Sequence, residues 1–272
     1  MSHDQPVPRN ALKARLAQGG LAVSLIVRMA RGPDIALIAR SSGFDALYVD
    51  LEHSPLSLET ASAVCIASQA AGVTPLARVP EASAAWISRV LDVGAAGVIV
   101  PHVEDACTAR TAVALAKYPP QGRRSVSTTL PQLPYRTLPE AEAHRLLNDE
   151  TLVVAMIESG RGVARADEIA AVDGIDMLLV GAGDLAADLG VAGQPQHALM
   201  QAAFDTVIAA CRRHGKTAGA GGLAGRPDLL ATLVARGVRF VSAGTDTGFL
   251  LSAAQAKVAG IRAQCPVGLD KA

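Results

Sequence analysis

Aromatic residues and unbalanced charge are both scarce in this chain of 272 residues. Only 3% of the residues are aromatic, and 25 Lys and Arg residues balance 25 Asp and Glu residues, so the formal net charge is zero. Nucleic-acid-binding proteins typically show a basic stripe with stacking aromatics, and proteins attracted to membrane surfaces show a polybasic segment. We therefore expect neither nucleic acid nor a membrane among the partners.

Closely spaced cysteines and long apolar segments are also missing. The four cysteines form no CxxC or short Cys/His metal motif; they are Cys65, Cys107, Cys211 and Cys265. Residues 1–20 lack the apolar core of a secretion signal, and no stretch approaches the roughly 18 uninterrupted apolar residues of a membrane-spanning helix. These absences predict a reduced, cytoplasmic protein.

Apolar residues make up half of the chain, enough for a large core. Short Val/Ile/Leu-rich runs recur, each followed by an Ala-rich segment of helical period, and such continuous runs are typical of parallel strands buried on both faces. The runs span residues 21–27, 44–50, 73–79, 95–101, 151–158, 175–181, 216–221 and 238–244. The helical segments span roughly residues 33–42, 58–71, 82–93, 104–117, 162–171, 197–214, 226–236 and 247–263.

Eight strands alternating with eight helices predict an α/β fold, a (β/α)8 TIM barrel. Length alone suggests about two domains, but such a barrel takes about 250 residues as one domain. We predict a single-domain barrel over residues 21–264, an N-terminal extension over 1–20 and a tail over 265–272. A doubly wound open sheet is the alternative fold. The connections 118–150 and 182–196 are unusually long, which is typical of functional loops.

Carboxylates at the carboxyl ends of the predicted strands are candidate metal ligands, because the active site of a barrel lies at that end. Glu158 ends the fifth strand and Asp184 follows the sixth. Two carboxylates on adjacent strands suit Mg²⁺ or Mn²⁺ and leave positions for water and a chelating substrate. The alternative for Glu158 is a structural ion pair with Arg78 or Arg124.

Two further strand ends carry candidate catalytic side chains. His53 lies on a turn after an acidic strand end, where a histidine is either a general base or a loop residue with satisfied contacts. Arg78 has no acid beside it in sequence and suits an oxyanion or a carboxylate, or else forms a structural salt bridge. No lysine ends strand five or six to form a Schiff base, and Lys216 lies at the wrong end of strand seven.

Two glycine motifs indicate other ligands. GAGDLA (181–186) and GAGGLA (219–224) match the dinucleotide fingerprint GxGxxA, but Asp184 would repel a pyrophosphate. Neither motif is followed by a strand that ends in an acid about 20 residues later. Gly222 and Gly244 could instead bind a substrate phosphate, as many barrels do after strands seven and eight. A phosphate-binding isomerase or synthase is therefore the alternative enzyme, and a non-catalytic binding protein is the alternative outside enzymes.

Six ordered motifs between about residues 20 and 260 carry a family resemblance. They are GFDALYVDLEHSPLS (43–57), PLARVPE (75–81), LDVGAAGVIVPHVEDA (91–106), KYPPQGRRSV (117–126), MIES (156–159) and VDGIDMLLVGAGDLAADLG (172–190). They resemble the HpcH/HpaI aldolase family, class II pyruvate-dependent aldolases that include 4-hydroxy-2-oxoheptanedioate and 2-keto-3-deoxyglucarate aldolases. The resemblance implies a barrel with an exchanged C-terminal helix and a homo-oligomer, usually a hexamer built from dimers.

The resemblance also implies a ligand set. Glu158 and Asp184 correspond to the family's ligands for a divalent cation, which we expect to be Mg²⁺, Mn²⁺ or Co²⁺. Arg78, Gly183 and Asp184 correspond to the segments that contact pyruvate or a related 2-oxo acid.

The same resemblance implies a catalytic set of His53, Arg78 and Asp92. His53 would be the general base, Asp92 would fix its tautomer, and Arg78 would stabilise the enolate. The predicted reaction forms or cleaves a 4-hydroxy-2-oxo acid from a 2-oxo acid and an aldehyde through a metal-stabilised enolate. The enzyme is then a carbon–carbon lyase.

Two positions depart from the family pattern. The heptanedioate aldolases carry Gln where this chain has Met156, which removes a polar substrate contact. His102 occupies a position where an apolar residue is expected. Together with the small GAGGLAG loop, these departures predict a different acceptor pocket and the same type of reaction.

Overall fold

A closed barrel of parallel strands forms the core of the computed structural model, which describes residues 9–127 and 129–265. Each strand pairs with the next in chain order, and the last pairs with the first. The strands are β1 (Ala22–Val27), β2 (Ala46–Asp50), β3 (Thr74–Arg78), β4 (Gly97–Val100), β5 (Leu152–Ile157), β6 (Met177–Gly181), β7 (Thr217–Gly221) and β8 (Val238–Thr245). This order confirms the predicted TIM barrel and excludes the open sheet.

Helices alternate with the strands. In the described part of the chain they are α1 (Ala11–Ala17), α2 (Asp34–Ser41), α3 (Leu58–Ala71), α4 (Ala84–Asp92), α5 (Ala106–Ala116), α6 (Glu140–Glu150), α7 (Gly160–Ala164), α8 (Ala166–Ala170), α9 (Ala182–Asp188), α10 (Ala198–Arg213), α11 (Pro227–Arg236) and α12 (Asp246–Gln264). None of them is long and apolar enough to cross a membrane. The cytoplasmic location stays a prediction.

Alternating strand residues build two apolar layers. On β2, Leu47 and Val49 pack outward under the helices, while Tyr48 points into the barrel. The interior is filled by side chains such as Leu76 and Met156, so the barrel is a packed core and no channel. Because both faces are covered, the strands are apolar throughout, which is the pattern seen in the sequence.

The amino end of the barrel is closed by residues from the predicted extension. Leu12 and Leu16 of α1 join the interior cluster, and the Leu12 amide donates to Thr74 Oγ1 at 3.2 Å. The long 118–150 connection lies at this same end, because it leads from α5 into β5. There the buried Lys117 ammonium donates to the carbonyls of Asn148 and Thr151, both at 2.6 Å. Residues 1–8 of the predicted extension and 266–272 of the predicted tail lie outside the described residues.

Helix α12 is anchored only at its start. Asp246 is its one buried residue, and residues 247–265 are all exposed. The helix carries exposed apolar side chains, including Leu250, Leu251 and Ile261. At about 1.5 Å per residue its length is roughly 28 Å. Near its start, Phe249 lies against Phe44, with the ring centroids 6.1 Å apart.

Candidate active site

A buried ion pair organises the carboxyl end of the barrel. Asp50 ends β2 and is fully buried, and Arg78 ends β3 beside it with 3% exposure. Arg78 Nε and Nη2 donate to the two oxygens of Asp50 at 2.9 and 2.6 Å, and Arg28 Nε donates to Asp50 Oδ2 at 2.6 Å. Burial alone would raise the pKa of Asp50, but the two guanidinium groups outweigh it and hold the pKa below its ordinary value.

The same carboxylate shapes the turn that carries His53. Asp50 Oδ1 accepts from the amides of Glu52 and His53, both at 3.2 Å, and the Ser54 hydroxyl donates to the Asp50 carbonyl. This turn leaves the His53 side chain 48% exposed at the rim of the cavity that Arg78 also lines. The structure therefore brings His53 and Arg78 to one site.

Glu52, for which no role was predicted, connects the groups of this turn. Its carboxylate lies 3.0 Å from Arg78 Nη1, 3.3 Å from His102 Nε2 and 3.9 Å from His53 Nε2. Glu52 Oε2 is buried and, despite the short approach of Arg78, has no hydrogen bond of good geometry. In the sequence, only its place in the acidic segment 50–53 after β2 could have indicated a role for Glu52. Its partners Arg78 and His102 lie far away in the chain.

Glu158 and Asp184 come together as predicted. Glu158 follows β5, is 4% exposed and accepts from the His102 amide at 3.1 Å, while Asp184 lies in the first turn of α9. Burial raises the pKa of Glu158, the contact with His102 lowers it, and the charges of Glu52 and Asp184 raise it further. A buried carboxylate among other carboxylates, with no lysine or arginine partner among the described residues, fits a bound cation.

Glu158 does not form the alternative structural ion pair with an arginine. The structural alternative for Glu158 was a pair with Arg78 or Arg124, but Arg78 binds Asp50 and Arg124 Nη2 donates to Asp92 at 2.6 Å. No group of three or more His, Cys, Asp or Glu side chains suited to a metal occurs among the described residues. Among the described residues, a cation at this place would have Glu158 and Asp184 as carboxylate neighbours, and its further ligands would have to come from water and substrate.

Asp92 does not meet His53 within one chain. It is the last residue of α4, and the chain continues from it into the amino end of β4, whereas His53 follows the carboxyl end of β2. The two residues therefore lie at opposite ends of the barrel. Here Asp92 is bound by Arg124, which is itself stacked over the Tyr118 ring at 4.8 Å. The predicted orientation of His53 by Asp92 is thus absent from the single chain.

One cavity of about 550 Å³ joins the remaining predicted residues. Its lining includes His53, Arg78, Glu158, Gly183 and Asp184, and no lysine of the described residues lines it. Burial raises the pKa of Tyr48 at its floor to about 12, so this phenol stays protonated at neutral pH. The wall from β7 and β8 is made of small residues, including Gly222, Ala224 and Gly244. These residues add little side-chain volume to the cavity.

Comparisons with known proteins agree on one family. The family model described as HpcH/HpaI aldolase/citrate lyase matches residues 27–253. A 4-hydroxy-4-methyl-2-oxoglutarate aldolase tasA from Hapsidospora irregularis is 43% identical over 79% of this chain and 80% of its own. A 4-hydroxy-2-oxo-heptane-1,7-dioate aldolase from Salmonella typhimurium is 34% identical over 92% of this chain and 94% of its own. The crystal structure of an HpcH/HpaI aldolase from Desulfitobacterium hafniense superposes with a TM-score of 0.87 at 32% identity, covering 92% of this chain and 96% of that one.

Proposed function

Because the chain belongs to the HpcH/HpaI aldolase/citrate lyase family and is a carbon–carbon lyase, we propose that it is a divalent-metal aldolase acting on 4-hydroxy-2-oxo acids. Cleavage would release pyruvate, or a related 2-oxo acid, and a second carbonyl compound, the acceptor. One observation carries the proposal: His53, Arg78 and the carboxylate pair Glu158 and Asp184 line one cavity.

Glu158 and Asp184 would hold the cation, Mg²⁺, Mn²⁺ or Co²⁺. When bound, a divalent cation supplies Lewis-acid polarisation of the 2-oxo acid donor. Glu158 is suited to bind a cation because it is buried near the charges of Glu52 and Asp184 and is held in position by a hydrogen bond from the His102 amide. The absence of a lysine from the described cavity lining agrees with a route that needs no imine.

Arg78 would stabilise the negative charge that develops on the enolate oxygen. Asp50 fixes the guanidinium through Nε and Nη2. Nη1 lies 3.0 Å from Glu52 Oε2, without a hydrogen bond of good geometry, and 3.9 Å from Met156 Sδ at the cavity lining. A donor that is already oriented costs little reorganisation when charge develops. Arg78 also stays charged, because the charge of Asp50 more than offsets the effect of burial and raises the pKa of Arg78.

His53 would move the protons. In condensation it takes a proton from the donor methyl group, and in cleavage it takes the proton of the C4 hydroxyl, directly or through a water. Its half-exposed ring at the cavity rim suits exchange with solvent. The buried Glu52 carboxylate, 3.9 Å from Nε2, is the acid nearest to this ring that the structure shows.

Helix α12 points to an assembly of several chains. A 19-residue helix with exposed Leu250, Leu251 and Ile261 is not stable in water without an apolar partner. We propose that it packs on the barrel of a second copy within a homo-oligomer, a hexamer of exchanged dimers. In such an assembly Asp92, which is 38% exposed at its side chain, could reach His53 only from a neighbouring chain.

Exchange of the pyruvate methyl protons in D₂O tests this function without knowledge of the acceptor. We expect NMR to show exchange that stops with EDTA and returns with Mn²⁺, Mg²⁺ or Co²⁺. Thermal unfolding gives a second readout: the same cations should raise the melting temperature of the wild type, and this gain should vanish in Glu158→Gln. Trapping of pyruvate on the protein by borohydride would refute the proposal, because only an imine is reduced in this way.

A further inference from the structure

We propose that Arg28 recognises a carboxylate on the acceptor, so that the preferred acceptor is a short 2-oxo acid or another carboxylated carbonyl compound. This inference rests on the aldolase function proposed above and concerns the other half of its substrate. It starts from Arg28, which follows β1 and lines the cavity but has no part in the chemistry derived so far.

The guanidinium of Arg28 is held in place by one hydrogen bond and keeps further N–H donors for a ligand. Nε donates to Asp50 Oδ2 at 2.6 Å, and no partner for either Nη atom occurs among the described residues. The backbone is fixed as well, because the amides of Arg28 and Met29 donate to Asp246 at 3.1 and 3.0 Å. The side chain is 34% exposed on the cavity side. Two aligned N–H groups on a held guanidinium match the geometry of a carboxylate.

The barrel places Arg28 across from the proposed metal ligands. In a closed order of eight strands, β1 lies opposite β5, and Glu158 follows β5. A substrate whose 2-oxo acid end lies at Glu158 and Asp184 therefore extends its C4 end toward the β1, β7 and β8 side. Arg28 is the charged residue on that side of the cavity lining.

The other basic side chains of the described cavity lining have different proposed roles. Arg78 gives Nε and Nη2 to Asp50, is 3% exposed, and has its remaining nitrogen assigned to the enolate oxygen of the donor. His53 is the proposed base. The wall that follows β7 and β8 carries Gly222, Ala224 and Gly244, which add no charge and leave space for a substituent at C4. A carboxylate at C4 would thus meet Arg28, the charged side chain on the β1, β7 and β8 side of the described cavity lining.

Matched substrates separate the carboxylate from the rest of the acceptor. Cleavage of 4-hydroxy-2-oxoglutarate gives pyruvate and glyoxylate, and cleavage of 4-hydroxy-2-oxopentanoate gives pyruvate and acetaldehyde. The two substrates differ by a carboxylate in place of a methyl group at C4. For both, kcat/KM is measured from pyruvate release in the wild type, Arg28→Met and Arg28→Lys. Their ratio cancels any effect that Arg28 has on the donor site through Asp50.

We expect the wild type to prefer the carboxylated substrate. Arg28→Met should lower this preference by roughly 10- to 100-fold, mainly through KM, as for loss of a charge-assisted hydrogen bond. Arg28→Lys should restore part of it. Equal losses on both substrates would overturn the inference and leave Arg28 as a partner of Asp50 only. If Arg28→Met does not fold, the kcat/KM values of the wild type alone test the inference. A wild-type preference for 4-hydroxy-2-oxopentanoate would overturn the inference. Absence of pyruvate proton exchange in the wild type would instead refute the aldolase function.

Discussion

Arg78→Lys separates charge from geometry at the proposed enolate site. Arg78 donates from two nitrogens to Asp50 and approaches Glu52 with the third. Lysine keeps the charge but has a single ammonium on a flexible stem, so it cannot hold both oxygens of Asp50 and still reach the cavity. Loss of a preorganised oxyanion donor typically lowers turnover by about 10²–10³-fold. We expect a loss of this size in pyruvate proton exchange and in cleavage, with little change in Mn²⁺ affinity.

The substitution should also cost stability, and a matched control separates this effect from catalysis. Losing one buried, charge-assisted hydrogen bond costs about 1.5–3 kcal/mol, which lowers the melting temperature by roughly 3–12 °C. Thr74→Val removes the buried hydrogen bond from the Leu12 amide to Thr74 Oγ1, at 3.2 Å, at the opposite end of the barrel. This control should be destabilised while its turnover stays near that of the wild type. Near-normal exchange in Arg78→Lys would refute the enolate role and leave Arg78 a structural residue.

Other substitutions test the remaining parts of the site. His53→Ala should lower proton exchange by about 10²-fold or more while Mn²⁺ affinity, measured by calorimetry, is retained; a roughly 100-fold drop in affinity would make His53 a metal ligand. Mixing the inactive variants His53→Ala and Asp92→Asn should restore activity, because a mixed oligomer pairs an intact His53 with an intact Asp92 of another chain; no recovery would exclude Asp92 from the site. Leu251→Glu should lower the mass measured by light scattering, whereas Lys257→Glu on the same helix should not, and an unchanged mass would argue against packing through α12. Asp50→Asn should destabilise the protein at pH 7 in urea unfolding: the pKa of Asp50 is lowered in the folded state, so its contribution is present above the unfolded value of about 4 and is lost as the pH falls through the folded value. A difference between variant and wild type that persists at low pH would contradict this reasoning.

The barrel could be predicted from the sequence because its strands are buried on both faces. The run 73–79 contains β3 (Thr74–Arg78), and the run 238–244 differs from β8 (Val238–Thr245) by one residue. Helices α6 and α9 were not predicted, since each lies in a stretch interpreted as a long loop. The sequence also could not predict that α12 is exposed, because an Ala-rich segment of this kind is typical of helices that cover a barrel.

The sequence predicted the location of a site residue only where that residue lies at the carboxyl end of a strand. Glu158, Asp184, His53 and Arg78 all follow strand ends, so the barrel brings them to one face. Asp92 was assigned from the motif LDVGA, but it ends a helix that leads into a strand and therefore lies at the other face. Contacts between residues far apart in sequence, such as Glu52 with His102, depend on side-chain packing, which the hydrophobic periodicity of the sequence does not predict.

Asp50 links the two halves of the proposed reaction. Its two oxygens bind Arg78, which faces the donor, and Arg28, which faces the acceptor side of the same cavity. One buried carboxylate holds both guanidinium groups, and the β1–β2–β3 register places the two arginines on either side of it. Asp50 touches no reacting atom in this scheme and is a positioning residue. Its removal should therefore lower turnover through Arg78 and acceptor selectivity through Arg28 at once, whereas substitution of either arginine should affect mainly its own half.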